Sequence, residues 1–106
     1  MSGVFRVSEL IKEIREDHRH HEFVRVSAMS AGIYVLPPGY ADQQTPHKED
    51  ELYYVIRGQA KMMIGAEKHP VSARDSIFVD AGVEHRFIDI EEELVLLVMF
   101  APEESR

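Results

Sequence analysis

The sequence contains no cysteine and no tryptophan. Without thiols there is no disulfide framework, no thiolate chemistry and no cysteine-ligated zinc site. Basic side chains are also in deficit: 12 Lys and Arg stand against 19 Asp and Glu, a net charge of -7 (12 − 19). An acidic surface repels a phosphate backbone, and no Lys or Arg stripe offsets it, so nucleic acid is not an expected partner. The same charge favours passage of cations into a cleft lined by carboxylates. Long hydrophobic runs are missing as well. The longest, Leu94 to Ala101, falls far short of the roughly 20 residues that cross a bilayer. No cationic start leads into an apolar stretch, so neither a membrane anchor nor a signal peptide is expected, and a cytoplasmic location is the expectation. Repeats, linkers and low-complexity segments are absent, and 106 residues suffice for a single domain spanning 1–106 with a core of its own.

What is there begins with a short strand expected over Val4 to Val7 and one helix, together covering about residues 4–18. Ser8 is a suitable N-cap, and Leu10, Ile11 and Ile14 share a face, while Lys12, Glu13, Arg15 and Glu16 face water. One side of this helix is expected to lie on the outside of a sheet. From Glu22 the period changes to two: Val24, Val26 and Ala28 alternate with Arg25 and Ser27. Further strand-like runs are Ile33–Leu36, Leu52–Ile56, Ala60–Ile64, Ser76–Val79, His85–Ile90 and Leu94–Phe100. Between them stand turn signals, including Pro37-Pro38-Gly39, Arg57-Gly58-Gln59, Gly65-Ala66-Glu67 and Asp80-Ala81-Gly82. About seven short strands without a second helix predict an all-β antiparallel sandwich or barrel over about residues 22–101. The apolar residues on both faces of the last run call for a cover on each side, and the helix and a second copy of the chain are the two candidates.

The polar segment Thr45-Pro46-His47-Lys48-Glu49-Asp50-Glu51 runs directly into the apolar Leu52-Tyr53-Tyr54-Val55-Ile56. Residues two and four apart on a strand share a face, which points His47 and Glu51 the same way. His85 opens another strand just after Gly82. Two neutral imidazoles and a carboxylate form a facial triad for a first-row metal that leaves positions open for water or substrate. The plain alternative is that His47 to Glu51 is a solvated charged turn and His85 a surface or hydrogen-bonded histidine. His18, His20 and His21 form a second histidine cluster, read here as a solvated helix end whose rings meet exposed carbonyls. Tyr53 shares the face of Glu51, and Phe87 that of His85, which nominates both as lining for the pocket. Met62 and Met63 are neighbours on a strand and must face opposite ways.

The spacing of these residues resembles the cupin family. Its first motif runs glycine, five residues, histidine, one residue, histidine, three or four residues, glutamate, six residues, glycine. Gly39, Thr45, His47, Glu51 and Gly58 stand at those positions. Its second motif, glycine, five residues, proline, one residue, glycine, two residues, histidine, three residues, asparagine, falls on Arg74, Asp80, Gly82, His85 and Asp89. The two motifs and the stretch between them span residues 39–89. The resemblance implies a jelly-roll barrel with a divalent ion (iron, manganese, zinc or nickel) held by His47, Glu51 and His85.

Thr45 replaces the family's first histidine and is a poor ligand for zinc, iron or nickel. Gln44 beside it offers an amide oxygen that suits manganese. Asp89 stands where the family has asparagine, either as an acceptor that orients an imidazole or as a solvated strand residue. Family members include dioxygenases, isomerases, decarboxylases and non-catalytic ligand binders, and small cupins commonly pair as homodimers. The leading expectation is therefore a metal-dependent enzyme acting on a small polar substrate. The alternative is a non-catalytic module that binds or senses a small molecule. Arg57, Lys61, Arg74 and Arg86 are scattered rather than clustered, which weakens a sugar phosphate as the substrate. No second helix accompanies the first, so a helix-turn-helix regulator is not expected.

Overall fold

The computed structural model describes residues 2–105. The chain forms strands β1 His20–Val26, β2 Met29–Leu36, β3 Asp50–Ile64, β4 Glu67–Ser72, β5 Ser76–Val79 and β6 His85–Ala101. They make one antiparallel sheet in the order β1-β2-β6-β3-β4, with β5 also paired to β3. The expected all-β antiparallel architecture is what forms.

Two strands carry most of it. At about 3.3 Å per residue a straight β3 of 15 residues would run about 50 Å, yet the molecule measures only 37 × 29 × 26 Å. Both β3 and its 17-residue partner β6 must therefore bend, and their ladder shifts register three times between Val55 and Lys61. Gly58 sits at the bend with φ of 106°. A Cβ there would lie 2.3 Å from the backbone oxygen of Glu93, so only glycine permits β6 to pass this close. Arg57-Gly58-Gln59, expected as a turn between two strands, is thus a kink inside one. His85–Ile90 and Leu94–Phe100 likewise fuse into one strand. Bending lets the two strands contribute to both walls of the barrel.

Alternation decides what each wall buries. On β3, Glu51, Tyr53 and Val55 point inward while Leu52 and Tyr54 face out. Met62, Phe87, Leu96 and Phe100 complete the interior with Tyr53. Of the methionine pair, Met62 is the buried one. The outer face of β2 and β6 is covered at Ile33, Val35 and Val95 by Leu10, Ile11 and Ile14, as their spacing anticipates, and by Val7, expected in a strand. The covering segment is shorter than expected, a single turn α1, Val7–Leu10, followed by the 3-10 turn Ile11–Glu13. No strand forms over Val4 to Val7; residues 2–6 have no regular structure. Arg6 occupies the N-cap, and Ser8 lies inside the helix. Ile14 turns extended, and mutual backbone bonds between Arg15 and His18 close a tight turn that ends the segment.

Candidate metal centre

The turn after β5 and the segment entering β3 are pinned together. Gly82 N donates to His47 O at 2.7 Å, and Ala81 N donates to Asp50 Oδ1 at 2.9 Å. These bonds bring three side chains to one point inside the barrel, His47, Glu51 and His85, each offering an atom within 4.8 Å of the others. Glu51 is 1 % exposed and His85 5 %. His85 Nε2 lies 2.8 Å from Glu51 Oε1, and His47 Nε2 lies 3.9 Å from the same oxygen.

His85 Nδ1 meets the carbonyl of Val83 at 2.9 Å, so it carries the hydrogen and donates it. In the neutral ring that leaves a lone pair on Nε2, facing a carboxylate oxygen, two acceptors at close range. His47 Nε2, both oxygens of Glu51 and His85 Nε2 are all buried without a hydrogen-bond partner. The close approach of Nε2 to Oε1 lacks hydrogen-bond alignment, and the ligand atoms of the three side chains share one small space. Four buried donor atoms in this state cost free energy unless a cation sits among them. In its absence a proton is the substitute. Burial pulls the pKa of His85 down, but Glu51, the Val83 carbonyl and Asp42 outweigh it and hold the ring above its ordinary value. Nitrogen–nitrogen–oxygen donor sets of this kind fit a borderline first-row ion.

Of the remaining expected site residues, Tyr53 and Phe87 lie beside the cluster, and Gln44, Thr45 and Asp89 do not join it. Thr45 is exposed on the strand-free stretch before β3. Gln44 is committed: its Oε1 accepts from the Tyr53 hydroxyl at 2.8 Å, and its Nε2 donates to Asp42 Oδ2 at 2.6 Å. Its oxygen therefore fixes Tyr53 instead of reaching for an ion. Asp89 points to solvent against Lys61 at 3.6 Å and has φ of 49°. That left-handed residue on the shifted part of the ladder breaks the alternation that would have aligned it with His85. Tyr53 and Phe87 are fully buried beside the cluster, their rings edge to face at 5.1 Å, and Tyr53 also meets His85 at 6.0 Å. Burial, with Glu51 adding to it, holds the Tyr53 hydroxyl well above its ordinary pKa and hence protonated.

Two residues near the centre, Asp42 and Glu104, are not singled out in the sequence, and a third, His20, is expected at a helix end. Asp42 is buried and accepts from the Phe87 amide at 2.9 Å. Burial raises its pKa, opposed by the Phe87 and Gln44 hydrogen bonds. His20 belongs to β1, not to a helix end. Its ring stacks on Tyr34 at 4.5 Å, its Nε2 is buried without a partner, and burial lowers its pKa to about 4. The ring fits because residue 32 is glycine, whose Cβ would stand 2.2 Å from that nitrogen. Glu104, in the stretch after β6, places Oε2 3.8 Å from His47 Nδ1. Beside the centre opens a cleft of about 350 Å3 walled by Gln44, Pro46, Met63, His85 and Arg86, among others.

A small antiparallel barrel with a buried histidine–glutamate cluster beside an open cleft is the class these features define. The sequence profile of the cupin domain matches residues 32–100, and the chain belongs to the cupin family. An uncharacterised protein of Streptomyces coelicolor is 41 % identical over 102 residues, covering 95 % of this chain and 97 % of that protein. Among solved structures, TT1209 from Thermus thermophilus superposes with a TM-score of 0.76 at 21 % identity, over 94 % of this chain and 97 % of the other. A Cupin 2 conserved barrel domain protein from Salinispora arenicola gives 0.75 at 17 % identity, over 95 % and 89 %. These two likenesses concern the fold. Among the described residues no helix is long and apolar enough to cross a membrane.

Proposed function

We propose that this cupin binds one divalent first-row ion on His47, Glu51 and His85 and acts as a metal-dependent enzyme on a small polar substrate. The observation that carries the reading is the convergence of four buried nitrogen and oxygen atoms that no hydrogen bond satisfies. Bound there, an ion supplies Lewis-acid chemistry, or redox chemistry if it is iron, for isomerase- or dioxygenase-like turnover. The chain's own groups do the rest. The adjoining cleft of about 350 Å3 admits a small molecule, with the Arg86 guanidinium in its wall to bind polar groups. Tyr53, fixed by Gln44 and kept protonated, presents a rigid wall to the centre.

The test is the metal content of untagged protein by elemental mass spectrometry, beside turnover on a substrate panel. Near one ion per chain is expected, lost in His85→Ala and His47→Ala and kept in His18→Ala. No ion after incubation with iron, manganese, nickel and zinc would overturn the reading. A second reading, a non-catalytic binding module, is favoured by one feature. Asp42, Gln44 and Tyr53 are hydrogen-bonded in series, which leaves none of the three free to move a proton in the cleft. Saturable binding of a panel compound to the metal-loaded protein without product would select it.

A further inference from the structure

The two ligand histidines differ in how their outer nitrogen is held. His85 Nδ1 donates to the Val83 carbonyl at 2.9 Å, which sets the tautomer and aims Nε2 at the centre. His47 also turns Nε2 toward Glu51, but among the described residues no backbone carbonyl is hydrogen-bonded to its Nδ1. What faces that nitrogen is Glu104, its Oε2 3.8 Å away. The two side chains are 17 % and 21 % exposed, so the contact is largely sheltered from water.

Glu104 does not arrive there by chance packing. Its amide donates to Ser30 Oγ on β2 at 2.8 Å, and its carbonyl accepts from Arg25 Nη2 on β1 at 2.6 Å. Ser105 next to it bonds Glu49 twice, through its amide at 3.2 Å and through its hydroxyl. Glu49 is 5 % exposed and lies two residues from His47. Residues 104–105 thus run as a strap across β1, β2 and the segment that carries the ligand. The one group of Glu104 these bonds leave over is the carboxylate, and it is set on the far side of the imidazole from Glu51 and His85.

We infer that Glu104 is a positioning residue for the metal centre: its carboxylate, 3.8 Å from Nδ1 in this structure, closes to hydrogen-bond length on the Nδ1 hydrogen of His47 when the ring ligates an ion, and then fixes this ring as Val83 fixes His85. The inference rests on the metal-centre reading above. A carboxylate behind a ligand imidazole raises the basicity of the ligating nitrogen and holds its orientation, and losing such a partner costs 10- to 100-fold in metal affinity. It also gives a reason for Thr45. With only two ligand histidines present, holding both rings rigid matters more.

Zinc affinity measured by chelator competition on the full chain tests this, with wild type, Glu104→Gln, Glu104→Asp and His85→Ala side by side. Glu104→Gln is expected to bind zinc about 10- to 100-fold more weakly, with Glu104→Asp in between. The thermal midpoint of metal-free Glu104→Gln should stay within about 2 °C of wild type. In the zinc-loaded wild type, the His47 Nδ1 hydrogen should appear in NMR as a slowly exchanging imidazole resonance, absent in Glu104→Gln while that of His85 remains. Wild-type affinity in Glu104→Gln, with His85→Ala unable to bind, overturns the role of Glu104 and leaves the centre standing. A fall in affinity matched by an equal loss of metal-free stability assigns Glu104 to folding alone and also overturns it. Wild-type affinity in His85→Ala removes the centre itself and this inference with it.

Discussion

Glu51→Gln preserves the shape of a side chain that is 1 % exposed and removes its charge. In the metal-free protein that charge is a burden. Neither oxygen has an aligned hydrogen bond, and its nearest partner is the His85 ring at 2.8 Å. With the His85 ring neutral, its Nε2 and the carboxylate oxygen are two acceptors face to face, and an amide N–H can donate across that gap where a carboxylate cannot. At a pH where the ring is neutral the metal-free variant should therefore equal or exceed wild type by about 1 kcal/mol. Zinc should invert the order. At a free concentration 100-fold above its dissociation constant, an ion adds about 2.7 kcal/mol to the wild type. The variant, holding two imidazoles and an amide, should gain little. With roughly 4 °C per kcal/mol for a chain of this size, wild type should rise by on the order of 10 °C in zinc against chelator, the variant by no more than about 2 °C. Thermal unfolding followed by circular dichroism under both conditions decides it. A metal-free variant destabilised by more than about 2 kcal/mol would refute the reasoning, since Glu51 would then serve the fold through His85 and not through an ion.

Acid should act through His20. Its folded pKa of about 4 lies below the unfolded value of 6.5, so the unfolded chain binds more protons between those limits and stability falls as pH drops from 6.5 toward 4. The full shift corresponds to about 3 kcal/mol, which partial exposure reduces to about 1–2 kcal/mol. Unfolding free energies of wild type and His20→Phe from urea titrations should diverge by that much over this window, and parallel curves would contradict it. Metal uptake should show the opposite kind of proton linkage. His85 sits above its ordinary pKa, so its pairing with Glu51 is fully present below pH 6.5 and fades as pH rises through the folded value. Zinc must displace that proton, and chelator competition should find affinity rising by up to about tenfold per pH unit until the ring is neutral. A flat profile would count against proton displacement. Gly58→Ala should cost about 3 kcal/mol or more in urea unfolding, because the added Cβ meets the backbone of Glu93 and the φ is unfavourable for any side chain.

How much of this was legible depended on whether the determinant was local. His47 and Glu51 lie four residues apart where a polar segment becomes a strand, and period two alone aligns them. His85 lies beyond them by more than thirty residues, and only the doubled motif spacing tied it to them. The cover of α1 over β2 and β6 was readable because Leu10, Ile11 and Ile14 fall at helical spacing. Strand β4 was not readable: five of its six residues are exposed, and it contains Pro70, so no alternation marks it. Gly58 reads as a turn because a glycine between two apolar runs has the same local signature whether the chain reverses or bends. Asp42, His20 and Glu104 reach the centre through contacts made only when β1, β2 and the stretch after β6 have closed around it. No spacing rule connects them to His47.

The ladder between β3 and β6 carries one more consequence. Along it Glu51 pairs with Phe100, while His85 pairs with Ile64, so the two ligands stand at opposite ends of the same run of backbone bonds. They meet at 2.8 Å only because both strands curl until the ends of the ladder face each other. An ion between them would act as a reversible cross-link, riveting a 34-residue loop (85 − 51) whose closure removes about 3–4 kcal/mol of freedom from the unfolded chain. Its binding constant is then a gauge of how tightly the barrel is shut. Substitutions far from any ligand, at the bend of β3 or under the covering helix, should register first as weaker metal retention and only later as unfolding.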